Sequence, residues 1–186
     1  MLVWKSMQNK VRLPIGVSDF QKLIKGKYTF ADKSLFIKDV IEDGTDIILI
    51  TRPRRFGKTL NLSMLYYFLE QKPQDQNLFE HLNVSKDVAF CKEHQQQYPV
   101  IFLTFKDVKQ SNYIDAYSDI VELIRRLYED HTYLIESNLL SRGEKDIFTA
   151  ILNKRADLSD IKSAIKQLSV YITRKFNKSP IILMEI

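Results

Sequence analysis

The sequence holds a single cysteine, Cys91, among 186 residues. No intrachain disulfide is possible, and no cysteine-rich zinc site can be assembled. That usage fits a reducing, cytoplasmic setting. No run of about 18 apolar residues occurs, so no segment reads as a membrane-spanning helix. The opening stretch, MLVWKSMQNK, lacks the long apolar core of a secretory signal. Internal repeats, low-complexity tracts and flexible linkers are missing. The three histidines, His81, His94 and His131, are widely spaced and match no metal or triad pattern, so they read as surface or partly buried helix positions. Cys91 has no neighbouring base in the sequence, which argues against a nucleophile.

What is there is an ordinary globular composition, with 45% hydrophobic and 27% charged residues. The length suffices for one domain with a sizeable core. The formal net charge is +5. Most lysines stand singly and read as solvating charges. The one dense cluster is Arg52, Arg54 and Arg55. Such a patch suits a nucleotide, a nucleic acid or an acidic partner.

Helical spacing predicts short helices over residues 18–26, with Ser18 or Asp19 as cap and Gly26 as stop, and over 33–42. Residues 46–50 (DIILI) are apolar after Asp46 and mostly β-branched, the pattern of a strand buried in a parallel sheet. A polar loop follows to Gly57, then an apolar helix over 58–71. Residues 99–105 (PVIFLTF) and 181–186 (IILMEI) predict two more buried strands. Helices are expected over 113–131, 144–152 and 158–176 between them. Strands alternating with helices indicate an α/β fold with a parallel sheet.

The informative stretch is residues 51–59, TRPRRFGKT, lying between a predicted strand and a predicted helix. The phosphate-binding P-loop reads G-x-x-x-x-G-K-[ST]. Gly57, Lys58 and Thr59 match its second half, while Arg52 stands at the first glycine position. Gly57 lets the backbone approach a phosphate. Helix-opening N–H groups after it, from Lys58 to Leu60, supply partial positive charge. Lys58 reaches the β- and γ-phosphates, and the Thr59 hydroxyl coordinates magnesium. Arg54, Arg55 and Phe56 complete the nucleotide-binding set, the two arginines as bidentate phosphate contacts. The bland alternative is a plain helix start, with Gly57 a turn residue and Lys58 a surface charge.

Several stretches together resemble the AAA-ATPase-like family of bacteria and archaea. They are residues 13–20 (LPIGVSDF), 31–38 (ADKSLFIK), 50–64 (ITRPRRFGKTLNLSM), 99–108 (PVIFLTFKDV), Leu127-Tyr128 with His131, and 179–183 (SPIIL). The resemblance covers about residues 13–183, and the arginine-rich, glycine-poor loop is that family's own form of the P-loop. It implies a P-loop NTPase-like three-layer α/β/α fold, ATP and Mg2+ as ligands, and ATPase activity. It also implies a second acidic motif at the end of the last strand. Glu185 falls at that motif's aspartate position and Ile186 at its glutamate position, so Glu185 is either a magnesium-side carboxylate or an uncommitted terminal charge. Isoleucine cannot activate water, which makes hydrolysis doubtful. Asp32 and Lys33 suit either a helix cap or a place beside the nucleotide.

The resemblance further implies a longer protein, often ending in a PD-(D/E)XK-type nuclease domain. On that expectation the chain is a truncated domain. Residues 1–44 are a helical lead-in and 45–186 an incomplete P-loop core, to be completed by a C-terminal domain or a partner chain. A gene remnant or a basic fragment binding protein or nucleic acid is the rival expectation. In the resembling proteins the strand order is 5-1-4-3-2. Strands 99–105 and 181–186 then pair with each other, and strand 46–50 is left without a partner. An unpaired apolar strand predicts marginal stability unless it pairs locally.

Overall fold

The computed structural model describes residues 12–51, 53, 56–71 and 78–186. The chain divides into two compact units, Met1–Phe68 with Gln74–Glu93, and Leu69–Pro73 with His94–Ile186.

In the first unit, α1 spans Phe20–Lys25 and buries Phe20 and Leu23. Asp19 caps it, its carboxylate accepting the Lys22 N–H at 2.7 Å. Gly26 ends it where a Cβ would collide with the Tyr28 ring and come within 2.8 Å of the Lys22 carbonyl. Helix α2 spans Leu35–Glu42 and fully buries only Ile37. Helix α3 spans Lys58–Leu69. Its Met64, Leu65 and Phe68 are buried, and an aromatic chain joins Phe68 to Phe79 at 5.1 Å and Phe79 to Phe20 at 5.0 Å. Two polar contacts fasten α1 to α3. The Phe20 N–H donates to Ser63 Oγ at 2.9 Å, and Tyr67 Oη donates to Asp19 Oδ2 at 2.9 Å. Helix α4, Val88–His94, packs Phe90 against Phe68 at 6.0 Å.

Asp32 and Ser34 form a clip between distant segments. The Asp32 carboxylate accepts the N–H groups of Ser34 at 2.8 Å and Asn83 at 2.7 Å, and buried Ser34 Oγ accepts the Val84 N–H at 3.0 Å. Burial opposes ionisation of Asp32, but the hydrogen bonds from Ser34 and Asn83 outweigh it and hold its pKa below the ordinary value. The unfolded chain therefore takes up this proton first as pH falls. The stability the clip adds is complete above the ordinary aspartate pKa and is lost as pH drops through the lower folded-state value. Asp32→Asn is expected to lower the urea midpoint near neutrality and to flatten the acid loss between about pH 5 and about pH 2. Parallel acid limbs for the two proteins would contradict this.

The second unit is built on two parallel strands, β1 (Val100–Thr104) and β2 (Ile181–Glu185), in register from Val100↔Ile181 to Thr104↔Glu185. This is the pairing expected for residues 99–105 and 181–186. A parallel bridge between Glu70 and Tyr98 extends the entry of β1, with Gln71 N–H donating to the Tyr98 carbonyl at 2.9 Å. The crossover from β1 to β2 is helical: α5 (Tyr113–Glu129), α6 (Arg142–Leu152) and α7 (Leu158–Phe176). Asn112 caps α5, a Ser141–Glu144 capping box opens α6, Asp157 caps α7, and left-handed Asn177 (φ 51°) ends it. The core joins Ile101 and Leu103 of β1 to Tyr128, Phe148, Leu168 and Ile172 of these helices.

Residues 46–50 correct the sequence expectation. They form no strand, and Ile47 and Leu49 are 87% and 82% exposed. Among the described residues the sheet therefore has two strands where the pattern predicts three. An apolar β-branched segment has strand propensity, but a strand exists only beside a partner whose N–H and C=O groups meet its own. Nor is β2 buried on both faces as predicted, since Ile182 and Met184 are each 45% exposed.

Candidate functional site

The phosphate-loop residues and Glu185 belong to different units. Gly57, Lys58, Thr59 and Leu60 lie in the first unit and Glu185 in the second. Arg52, Arg54 and Arg55 lie outside the described residues.

Gly57 sits at φ +74°, in the left-handed region, and nothing stands within 4 Å of where a Cβ would be. Its glycine character is thus demanded by backbone conformation rather than by crowding. Its carbonyl accepts the Asn61 N–H at 2.9 Å, closing the first turn, and α3 begins at the next residue. The opening turn of any helix presents N–H groups with no acceptor inside the helix, and carries partial positive charge. Here that end also carries Lys58, whose side chain is exposed, and no acidic residue lies in the first turn. A lysine at a helix N-terminus without a compensating carboxylate is electrostatically unfavourable, and an anion placed there relieves it. Thr59 and Leu60 are half-buried, while Phe56 is 62% exposed.

Glu185 is the last residue of β2 and is 7% exposed. Its Oε1 lies 2.8 Å from Lys106 Nζ, and its carbonyl accepts the Phe105 N–H at 2.8 Å. It is a buried carboxylate paired with a cation from the loop after β1, not a loose charge. Ile186 is 88% exposed and offers no group to polarise water.

The other candidates have structural occupations. Asp32 is the clip described above. The Cys91 thiol donates to the Val84 carbonyl at 3.4 Å, and burial, helped by the Asp87 charge, raises its pKa, so it is no ready nucleophile. His94 Nδ1 lies 2.6 Å from Tyr98 Oη, and His81 is exposed. His131 is buried, with Nδ1 2.8 Å from the Leu127 carbonyl. Buried Glu70, which accepts the Val100 N–H at 3.0 Å, carried no signal in the sequence. Its partner lies 30 residues away.

Among the described residues, no three of His, Cys, Asp and Glu cluster to hold a metal ion. Magnesium on a phosphate loop asks for less. One hydroxyl joins phosphate oxygens and water in its shell, and Thr59, at the second helix position, fits that limited demand.

A family model described as Predicted AAA-ATPase matches residues 14–185. The chain belongs to the AAA-ATPase-like family. One relative is described as an uncharacterized protein in the vnfD 5′ region of Azotobacter chroococcum mcd 1. It is 36% identical over 98 residues, which is 52% of this chain and 17% of that protein. The chain thus matches a small part of a longer relative. No solved structure matches it. No helix among the described residues of this AAA-ATPase-like chain is long and apolar enough to cross a membrane.

Proposed function

We infer that this chain binds ATP with magnesium through the Gly57–Lys58–Thr59 turn. One observation carries the reading: a left-handed glycine opens a helix whose first turn holds an exposed lysine, a hydroxyl and no acid. That arrangement favours a multiply charged anion. Lys58 would offer a point charge to the outer phosphates, and Thr59 would take a place in the magnesium shell. Arg54 and Arg55 would add bidentate phosphate contacts, and Phe56 and Leu60 would flank the anion. Family membership supports the nucleotide. P-loop NTPase topology is part of the same reading, with residues 46–50 as the strand that a further chain segment or partner would complete.

Hydrolysis by these residues alone is not part of the reading. Glu185 is already engaged by Lys106, and Ile186 supplies no base. The bound magnesium would neutralise phosphate charge; the chain itself binds and orients the nucleotide.

Thr59→Ala separates the metal from the phosphates. Equilibrium dialysis with a non-hydrolysable ATP analogue, in magnesium and in EDTA, measures both. The native chain is expected to bind more tightly with magnesium. The variant is expected to lose roughly tenfold of that gain while keeping its EDTA affinity. An undiminished magnesium gain removes Thr59 from the site. Absence of binding by the native chain overturns the function and leaves the basic loop to nucleic acid or an acidic partner.

A further inference from the structure

A recess of about 590 Å3 lies along α1 in the first unit. Gly16, Ser18, Asp19, Lys22, Gly26 and Tyr28 are among its lining residues, and none of them belongs to the Gly57–Thr59 turn. The volume falls within the roughly 300–1,000 Å3 of sites that take a whole small molecule.

Its walls follow from local backbone chemistry. Gly16, at φ 75°, turns the chain ahead of α1, and the Val17 N–H donates to the Pro14 carbonyl at 3.2 Å. On the other side the Tyr28 ring lies against the bare Cα of Gly26, where a Cβ would stand 2.4 Å from a ring carbon. The Arg12 guanidinium carbon is 5.7 Å from the Tyr28 ring centroid, and Arg12 Nη1 donates to the Gly26 carbonyl at 3.0 Å. One glycine thus holds an aromatic ring and a guanidinium side by side.

The polar lining has one dominant sign. Asp19 is the only acid among residues 12–31. Both its oxygens are engaged within the chain, Oδ1 by the Lys22 N–H and Oδ2 by the Tyr67 hydroxyl. Lys22 is exposed, and its ammonium forms no ion pair among the described residues. Ser18 is exposed as well. An organic cation would meet Lys22 and Arg12. A phosphate would meet an ammonium, a hydroxyl and a guanidinium, whose fork matches phosphate oxygens. A flat ring carried by that phosphate would pack on Tyr28. We propose that this recess binds an aromatic or heterocyclic phosphate monoester, with Lys22 and Arg12 holding the phosphate and Tyr28 the ring.

The test titrates the full chain with phenyl phosphate and follows backbone amides by NMR. Phenol serves as the ring without charge and orthophosphate as the charge without ring, all at matched ionic strength. Saturable shifts at Gly16, Ser18 and Gly26 are expected, with affinity on the order of millimolar. Lys22→Gln removes an exposed charge without touching the core and is expected to weaken binding roughly fivefold. Tyr28→Leu, its folding judged from the same spectra, is expected to bring the affinity for phenyl phosphate down to that for orthophosphate. Lys58→Ala is expected to leave the shifts unchanged, which separates this recess from the phosphate loop. Loss of the shifts in Lys58→Ala, an equal response to phenol or to orthophosphate, a non-saturating response, or unchanged affinity in Lys22→Gln overturns the proposal.

Discussion

Mg-ATP is expected to raise the unfolding midpoint of the full chain, and Lys58→Ala is expected to abolish the rise. A ligand that binds only the folded state stabilises it by about 2.7 kcal/mol at about 100 times its dissociation constant. For a protein of this size that is roughly 5–11 °C in midpoint. The effect is on the unit that holds the loop, so if the two units melt separately, only the transition of the first moves. Lys58 is exposed at the start of α3, and its removal should change the melting of the ligand-free chain little. The variant therefore isolates binding from folding. A rise of equal size in both proteins would place the nucleotide elsewhere. No rise in a cooperatively melting native chain would make the loop a plain helix start, the bland alternative that the sequence leaves open.

The helices of the second unit were legible because their signals are local. Leu158–Phe176 matches its predicted span, with Asp157 capping one end and Asn177 ending the other. Helix α6, expected over 144–152, begins two residues earlier at Arg142, where the Ser141–Glu144 capping box sets its start. Strands are not local. Residues 46–50 and 181–185 have nearly the same composition, yet only the second forms a ladder, because β1 lies beside it. Composition records strand propensity; it does not record whether a partner edge is present. The site divides in the same way. Gly57, Lys58 and Thr59 are consecutive, and their turn-to-helix geometry follows from their order. The Lys106–Glu185 pair and the Glu70–Val100 hydrogen bond join segments far apart in the chain, and no spacing rule connects them. The position of Glu185 suggested a metal-side carboxylate or a terminal charge; its burial and its pairing with Lys106 come from contacts that no local pattern records.

The largest stability effect is expected from Phe148→Ala. Phe148 is fully buried on α6, with its ring 4.5 Å from that of Tyr128 on α5 and 6.4 Å from that of Tyr171 on α7. It therefore fills the space on which three helices converge. The hole it leaves would close only if those helices moved together, and they are held independently. Tyr128 Oη donates to the Ala164 carbonyl at 2.8 Å, fixing α5 to α7, and the capping box fixes the start of α6. A site that cannot collapse carries the full cavity cost, about 3–5 kcal/mol for a buried aromatic. Total stabilities are about 5–15 kcal/mol, so the variant should be largely unfolded at modest urea. Ile114→Ala, on the same helical layer but 77% exposed, should cost within about 0.5 kcal/mol. Urea unfolding followed by far-ultraviolet circular dichroism compares the three proteins. A loss below about 1 kcal/mol for Phe148→Ala would mean that the helices relax into the gap, and that α5, α6 and α7 do not share one close-packed core.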